Sequence, residues 1–276
     1  TAYEIPKRDW SSDVCSSDLR AGVPQRWRIV NAAKSRYFEL DPGKGQPFTR
    51  IGGDAGLLEY PVSRETLVLA PGERADVFFT PRGEPGSELG IYGQLADRGY
   101  GSVEARQGEN LFTLALDRGP TAPAAPLPST ARAISPLDQT GANQVPIEFA
   151  ISQSPADGSF NYTINGKRLG QFQPVQARVG ETQIWTVTNP SPWSHPFHLH
   201  GFFFQVLDAK NQPVHPLAWK DTVNIPMKTT VRLLVDFSER PGEWMFHCHI
   251  LDHAEGGLMG TVIVGDGKTT AHVHKP

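Results

Sequence analysis

An internal repeat constrains the fold of this chain more than any other feature of its sequence. Three segments of the first half recur in the same order in the second half: 22–31 (GVPQRWRIVN) as 180–189 (GETQIWTVTN), 35–41 (SRYFELD) as 194–200 (SHPFHLH), and 91–98 (IYGQLADR) as 246–253 (FHCHILDH). Short matches can arise by chance, but three in one order indicate a duplicated domain.

Short runs of β-branched and aromatic residues, separated by turn signals such as Pro71-Gly72, predict strands in both halves. The clearest runs are Glu65–Leu69, Ala75–Thr80, Gln183–Thr188, Phe202–Leu207 and Thr230–Phe237. No long stretch shows helical periodicity. We therefore predict an all-β protein made of two antiparallel β-sandwiches.

The repeat and the composition also predict the domain organisation. The first domain is expected to span residues 20–118 and the second residues 137–264. The intervening residues 119–136 are rich in proline, which favours an extended, semi-rigid linker. Residues 265–276 are expected to form a flexible tail.

The N-terminal residues 1–19 are predicted to be disrupted. Segment 13–19 (DVCSSDL) is the translation of a common sequencing-adapter sequence, so we predict that it is adapter-derived. The alternative is an ordinary loop rich in serine and aspartate. If the segment is adapter-derived, Cys15 has no meaning, Cys248 is the only genuine cysteine, and no disulfide is predicted. No signal peptide or membrane-spanning segment is visible.

His247, Cys248 and His249, followed by His253, place four possible copper ligands within seven residues. Successive side chains of a strand point to opposite faces, so a strand at 247–249 would separate the thiolate from the two histidines. A metal beside the thiolate would then be joined by a few covalent bonds to metals beside the histidines. Such a covalent path carries electrons between metal ions. It would serve no purpose at a zinc site, because zinc has no redox chemistry.

A second histidine cluster, at 195–200 (HPFHLH), supplies the ligands that the first lacks. Two imidazoles and one thiolate in a trigonal arrangement make a blue-copper electron-transfer site, here His195, Cys248 and His253. The remaining imidazoles suit copper bound to oxygen species; they are His198, His200, His247 and His249. Satisfied core histidines are the alternative, and the presence of both clusters disfavours it.

Together the two clusters resemble the copper-binding motifs of the last domain of multicopper oxidases, the laccase-like family, and the resemblance runs from about residue 20 to about residue 264. It implies two cupredoxin-like Greek-key β-sandwich domains. It also implies a type 1 copper at His195, Cys248 and His253. The other ligands are implied to serve the type 2 copper (His198) and the type 3 pair (His200, His247 and His249).

The resemblance further implies what the intact protein does. A donor, phenol-type or metal ion, would be oxidised at the type 1 copper, electrons would pass along His247, Cys248 and His249, and dioxygen would be reduced to water. The family draws four more cluster histidines from a first domain, and this chain has no histidine before His195. The N-terminal cupredoxin domain is therefore expected to be missing. The type 1 site is complete, only half of the type 2 and type 3 ligands are present, and the chain alone is expected not to reduce oxygen.

Other functions remain open at this point. A mononuclear copper electron-transfer or copper-handling protein is the main alternative. A copper nitrite reductase is a third possibility, although its copper thiolate lacks flanking histidines; a metal-free relative is disfavoured because all seven ligands are present. The net charge of −3 and pI near 6.3 favour neither nucleic acid nor a membrane as partner. Periplasmic or secreted localisation is expected from the resemblance.

Leu258 stands ten residues after Cys248, where the family places the axial type 1 ligand. Leucine cannot coordinate, and loss of a weak axial thioether leaves a three-coordinate copper with a raised potential. A local kink that brings Met259 to the metal is the alternative.

Three charged residues outside the ligand set are also candidates for a role. Asp221 and Glu255 are possible partners that orient an imidazole or pass protons. The alternative for both is a turn carboxylate in solvent. Arg74 is predicted to be a structural ion-pair residue rather than a catalytic one.

Overall fold

The computed structural model describes residues 14–94, 108–119, 129 and 131–265. Most of the predicted linker, nearly all of the predicted tail and the first thirteen residues lie outside this part of the chain. In the described residues nearly all regular structure is β-strand, and none of the helices found there is long and apolar enough to cross a membrane.

The described residues of the first sandwich form nine strands: β1 (Val14–Leu19), β2 (Gln25–Val30), β3 (Phe38–Asp41), β4 (Phe48–Gly53), β5 (Gly56–Arg64), β6 (Leu67–Leu69), β7 (Arg74–Phe79), β8 (Glu88–Gln94) and β9 (Glu109–Leu116). They form one sheet in the order β1-β9-β8-β3-β6 and a second in the order β2-β7-β4-β5. The core between the two sheets includes Phe48, Val77, Phe79 and Ile91, none of which is exposed.

The second sandwich contains ten strands and one short helix: β10 (Asn143–Gln153), β11 (Phe160–Ile164), β12 (Val175–Arg178), β13 (Glu181–Asn189), β14 (His195–Leu199), β15 (Phe204–Leu207), β16 (Thr222–Ile225), β17 (Thr229–Phe237), β18 (Gly242–Cys248), α1 (Leu251–Gly256) and β19 (Met259–Gly265). Its sheets have the orders β11-β10-β13-β17-β15 and β12-β19-β18-β14-β16. Trp185, Phe149, Phe197 and Phe246 fill the core between them.

The two sandwiches share one topology. The order β12-β19-β18-β14-β16 in the second repeats β1-β9-β8-β3-β6 in the first, and in both sheets the first two strands pair in parallel. Likewise, β13-β17-β15 repeats β2-β7-β4. The sequence repeat is therefore a structural duplication, and the prediction of an all-β protein with two cupredoxin-like Greek-key sandwiches is confirmed.

The repeated tryptophan has the same role in both halves. Its indole N–H donates to the glutamine two residues earlier on the same strand, Trp27 to Gln25 at 3.2 Å and Trp185 to Gln183 at 2.9 Å. A buried indole N–H needs such an acceptor because an unpaired polar group costs about 1–3 kcal/mol to bury. The motif Gln-x-Trp therefore places a large aromatic ring against the core of the first sandwich and inside the core of the second.

The repeated asparagine fixes the connection that follows. Asn31 donates to the carbonyl oxygens of Arg36 and Leu69, both at 2.8 Å, and Asn189 donates to those of Trp193 at 2.7 Å and Ile225 at 3.1 Å. Each amide thus ties the loop before β3 or β14 to the neighbouring β6 or β16. The second of these loops positions His195.

All five predicted runs overlap an observed strand. At Phe202–Leu207, β15 begins only at Phe204. Phe202 instead packs edge-on against Phe237, with ring centroids 4.8 Å apart, and against Trp244 at 5.5 Å. Aromatic packing, rather than pairing along the strand, therefore determines where this residue lies.

Candidate metal centres

The pairing of β14 with β18 separates the candidate ligands onto two faces of one sheet. Phe197 lies opposite Cys248, and His198 lies opposite His247. Residues that pair directly across an antiparallel ladder share a face, and neighbours along a strand alternate. The Cys248 face therefore turns inward, and the His198 and His247 face turns outward. The expected separation of thiolate and histidines is present, although β18 ends at Cys248 and His249 follows it.

On the inner face, His195, Cys248 and His253 form a compact group that we call the thiolate set. The Sγ atom of Cys248 lies 3.7 Å from Nδ1 of His195 and 3.6 Å from Nδ1 of His253, and the two nitrogens are 3.2 Å apart. All three residues are buried. His253 reaches the group because α1 follows β18 directly and turns the chain back over the end of the sheet.

The thiolate set fits a trigonal metal ion. Bonds of about 2.0–2.3 Å to nitrogen and sulfur around one ion place the ligand atoms roughly 3.5 Å from one another. The three observed distances are close to that value. In addition, each histidine turns its Nδ1 atom toward the Sγ atom of Cys248, whereas Nε2 of His195 is buried without a hydrogen-bond partner.

Burial sets the protonation of the thiolate set. Burial, together with the nearby His253, lowers the pKa of His195 to about 3, so the imidazole is neutral near pH 7. Burial raises the pKa of the Cys248 thiol well above its ordinary value. A metal must therefore displace the thiol proton when it binds, which couples its binding to proton release.

On the outer face, His198, His200, His247 and His249 form what we call the four-histidine set. Candidate ligand nitrogens of His198, His200 and His247 all lie within 4.8 Å of one another. The Nε2 atoms of His200 and His247 are 3.0 Å apart. The ring of His249 lies 5.5 Å from that of His198 and 5.7 Å from that of His247, between ring centroids.

Burial favours the neutral form of three imidazoles of the four-histidine set, those of His200, His247 and His249. Burial lowers the pKa of His247 to about 4, and the charges of the neighbouring histidines act in the same direction. The pKa values of His200 and His249 are also lowered, chiefly by burial and then by His198. Neutral imidazoles gathered in this way can bind a metal without first losing protons.

The first sandwich places other side chains at the equivalent positions. Arg36 pairs with Glu109 at 2.7 Å, and Glu39 accepts a hydrogen bond from Thr66 at 2.9 Å. Asp41 accepts one from Gln94 at 3.1 Å, and Gly93 offers no side chain. Arg98, the equivalent of His253, lies outside the described residues. Within the described part of the chain, both clustered groups of possible metal ligands are in the second sandwich.

Arg74 and Asp221 join the two sandwiches beside the four-histidine set. Arg74 donates to both carboxylate oxygens of Asp221, at 2.7 and 2.6 Å, and the side chain of Asp221 is only 14% exposed. Partial burial favours the neutral acid, but the hydrogen bonds from Arg74 and Thr222 and the nearby His198 hold the pKa of Asp221 below its usual range. The solvent alternative is therefore wrong for Asp221, while Arg74 is the predicted ion-pair residue. Glu255 is exposed, as a solvent carboxylate would be.

Leu258 and Met259 lie on different faces of the sheet. Met259 pairs with His247 in the ladder between β18 and β19, and the amide of Cys248 donates to the carbonyl oxygen of Leu258 at 3.0 Å. Leu258 therefore lies opposite Cys248 and shares its face, whereas Met259 shares the face of His247. Leu258 is fully buried in the same core cluster as Cys248.

Gly72 of the first sandwich lies directly against His249. A Cβ atom at this position would be 2.4 Å from Cδ2 of the imidazole, and the backbone of Gly72 has a φ of +85°. Only glycine adopts this conformation freely and leaves room for the ring. The Pro71-Gly72 pair was identifiable in the sequence as a turn, but its contact with a residue 177 positions later (72 to 249) was not.

Replacement of Gly72 by alanine is expected to displace His249 and to lower the free energy of unfolding by roughly 1–3 kcal/mol. Gly180→Ala is the matched control, because Gly180 has a φ of +86° and a Cβ atom added there would meet no other atom within 4 Å. Denaturant titration and copper titration of both variants check this expectation. Equal effects of the two substitutions on copper binding would contradict it.

Residues 142–268 match the family model described as multicopper oxidase. The second sandwich of the chain therefore belongs to the multicopper oxidase family. Its relatives include the laccase of Bacillus subtilis, 26% identical over 87% of this chain and 51% of the relative, and the cell division protein FtsP of Edwardsiella tarda, 33% identical over the same shares. The chain thus spans about half the length of the curated relatives it matches.

Solved structures of multicopper oxidases are also similar to this chain. A multicopper oxidase from Campylobacter jejuni, described as a metallo-oxidase, superposes with a TM-score of 0.73 at 26% identity, covering 87% of this chain and 53% of the other. A multicopper oxidase from Pediococcus acidilactici gives a TM-score of 0.76 at 27% identity, with coverage of 92% and 51%. Both likenesses extend across the two sandwiches of this chain.

Proposed function

We propose that this chain is part of a laccase-like multicopper oxidase that oxidises a small-molecule donor, phenol-type or metal ion, and reduces dioxygen to water. One observation carries the proposal: a thiolate set and a four-histidine set lie on opposite faces of one sheet and meet in His247, Cys248 and His249. The match of residues 142–268 to the multicopper oxidase family model supports it. We also propose a periplasmic or secreted location, as the resemblance implies.

The proposed ligands follow the two sets. His195, Cys248 and His253 would hold the type 1 copper, His198 the type 2 copper, and His200, His247 and His249 the type 3 pair. Copper supplies one-electron redox chemistry at the first site and a centre for oxygen reduction at the second.

The chain itself shields the thiolate from water and connects the thiolate set to the four-histidine set. Complete burial of Cys248 excludes water from the thiolate, and its peptide bonds join it directly to His247 on one side and to His249 on the other. The ring of Tyr162 lies 5.9 Å from that of His253, between centroids, on the side where α1 meets β11. A donor reaching the thiolate set through His253 would therefore pass this tyrosine.

A mononuclear copper electron-transfer or copper-handling protein is the second candidate. The thiolate set favours it, because that set is complete within one sandwich, whereas the four-histidine set has no further histidine from the described part of the first sandwich beside it. Copper analysis distinguishes the candidates. The proposed oxidase fragment binds one coloured copper tightly and additional copper at the four-histidine set; a mononuclear protein binds the coloured copper alone.

The axial position gives a separate prediction. Leu258→Met is expected to add a weak thioether ligand and lower the reduction potential of the type 1 copper, because it stabilises oxidised copper. Met259→Leu is expected to leave the potential nearly unchanged, because Met259 faces His247. A tenfold change in the one-electron equilibrium is about 59 mV, so voltammetry resolves the difference. An increase for Met259→Leu without a shift for Leu258→Met would assign the axial position to Met259.

A further inference from the structure

A group of ionised side chains crosses the boundary between the two sandwiches next to the four-histidine set. Lys220 pairs with Asp54 at 3.0 Å and with Glu73 at 3.2 Å, and Arg74 pairs with Asp221. Asp54 has no exposed side-chain surface, and the side chain of Lys220 is 14% exposed. Charges removed from water in this way are stabilising only in well-matched geometry. Their arrangement therefore fixes the positions of the residues they hold.

Arg74 makes hydrogen bonds to both sandwiches. Besides the two bonds to Asp221, its guanidinium donates to the carbonyl oxygens of Gly72 at 3.0 Å and Asp54 at 2.8 Å. Two parallel bonds from a planar guanidinium orient a carboxylate more strictly than a single bond does. The carboxylate of Asp221 consequently has one orientation.

That orientation determines the direction of the next hydrogen bond. Thr222 donates its hydroxyl proton to Oδ1 of Asp221 at 2.8 Å. The same hydroxyl oxygen is 3.0 Å from Nδ1 of His198, and the backbone carbonyl oxygen of Asp221 is also 3.0 Å away. Because its proton is already donated, the threonine oxygen can only accept at His198, and a carbonyl oxygen can only accept. Nδ1 of His198 must therefore be the donor.

We infer that Arg74 is a positioning residue which, through Asp221 and Thr222, fixes the His198 imidazole with its proton on Nδ1 and leaves Nε2 free for copper. The copper half of this inference rests on the proposed function, whereas the tautomer is a property of the metal-free chain. Hydrogen bonds of this kind commonly orient metal-binding histidines and change metal affinity by roughly 10- to 100-fold when removed. Here the series of hydrogen bonds begins at Arg74 in the first sandwich, which contributes no residue to either ligand set.

Nuclear magnetic resonance of ¹⁵N-histidine in the metal-free protein tests the tautomer, with His198 assigned through a His198→Gln variant. The wild type is expected to carry the proton on Nδ1. In Asp221→Asn the new amide can donate to Thr222, whose hydroxyl proton then turns to His198, so the population with the proton on Nε2 increases. Arg74→Met is expected to act in the same direction, and Thr222→Ser is expected to retain the wild-type tautomer.

Lys34→Met is the matched control, because it removes another ion pair between the sandwiches, Lys34 with Asp252 at 2.7 Å, and is expected to leave His198 unchanged. Circular dichroism identifies folded variants, and Arg74→Met decides the test if Asp221→Asn does not fold. Copper titration should show a roughly 10- to 100-fold weaker four-histidine set in the altered variants, with the colour of the thiolate set retained.

The outcomes separate the inference from the proposed function. A wild-type proton on Nε2, or an unchanged tautomer in folded Arg74→Met and Asp221→Asn, overturns the positioning role. A tautomer that shifts as expected in a chain whose four-histidine set binds no copper supports the positioning of His198 and overturns the proposed oxidase. A shift in Lys34→Met as large as that in Arg74→Met also overturns the role, because the effect would then belong to the interface as a whole.

Discussion

Copper-loaded protein in which Cys248 is replaced by serine is expected to lose its intense visible colour completely. The colour of a blue-copper site arises from a thiolate bound to the metal, and a serine hydroxyl is neither a soft ligand nor readily deprotonated. Serine nearly preserves the volume of the buried cysteine, so the fold should survive with a loss of about 1–3 kcal/mol for the buried hydroxyl. Absorption spectroscopy, together with copper analysis, measures the effect.

Met259→Leu is the control for this substitution, since Met259 lies on the other face of the same sheet and the variant should keep its colour. Wild-type protein that binds copper at the thiolate set and remains colourless would contradict the type 1 assignment. Colour retained in Cys248→Ser would show that another ligand set is responsible.

The chain on its own is expected to show no sustained oxygen consumption with a phenolic donor. Four histidines are present at the outer face, whereas the multicopper oxidase resemblance implies four more from another domain. The equivalent positions of the first sandwich hold Arg36, Glu39 and Asp41, which pair with other side chains instead. A single reduction of the type 1 copper by the donor should still occur, because that site is complete.

An oxygen electrode and stopped-flow absorbance measure these two steps separately. Copper-loaded Cys248→Ser gives the background rate from adventitious copper. Bleaching of the colour without oxygen uptake above this background is the expected result. Continued uptake by the wild-type chain, well above the variant, would show that it completes an oxygen-reducing centre by another route, such as self-association.

Local sequence patterns predicted most of the fold, because strands, turns and repeats depend on residues that are close together in the sequence. The Gln-x-Trp and Asn pairs of the repeat proved to hold equivalent hydrogen bonds in both sandwiches. Alternation along one strand likewise predicted the two faces on which Cys248 and His247 lie. The sequence could not decide between the two readings of Asp221, because the arginine that pairs with it is 147 positions away in the chain.

Long-range packing of this kind has no local signal. The turn at Gly72 was identifiable, but its contact with His249 depends on how the two sandwiches meet. The same is true of Thr222, which sequence analysis missed because a threonine within a strand is ordinary. Only the combination of Arg74, Asp221 and Thr222 in space gives it a role.

The opposite-face arrangement of Cys248 and its neighbours restricts how this region can change by insertion or deletion. A shift of β18 by a single residue relative to β14 would turn the thiolate outward and an imidazole inward, exchanging the two kinds of ligand at once. An indel within this strand therefore destroys both sites together, whereas a point substitution can remove one and spare the other. We therefore expect that metal binding in this architecture is lost or regained by point substitution of the ligands, while the length of β18 stays constant.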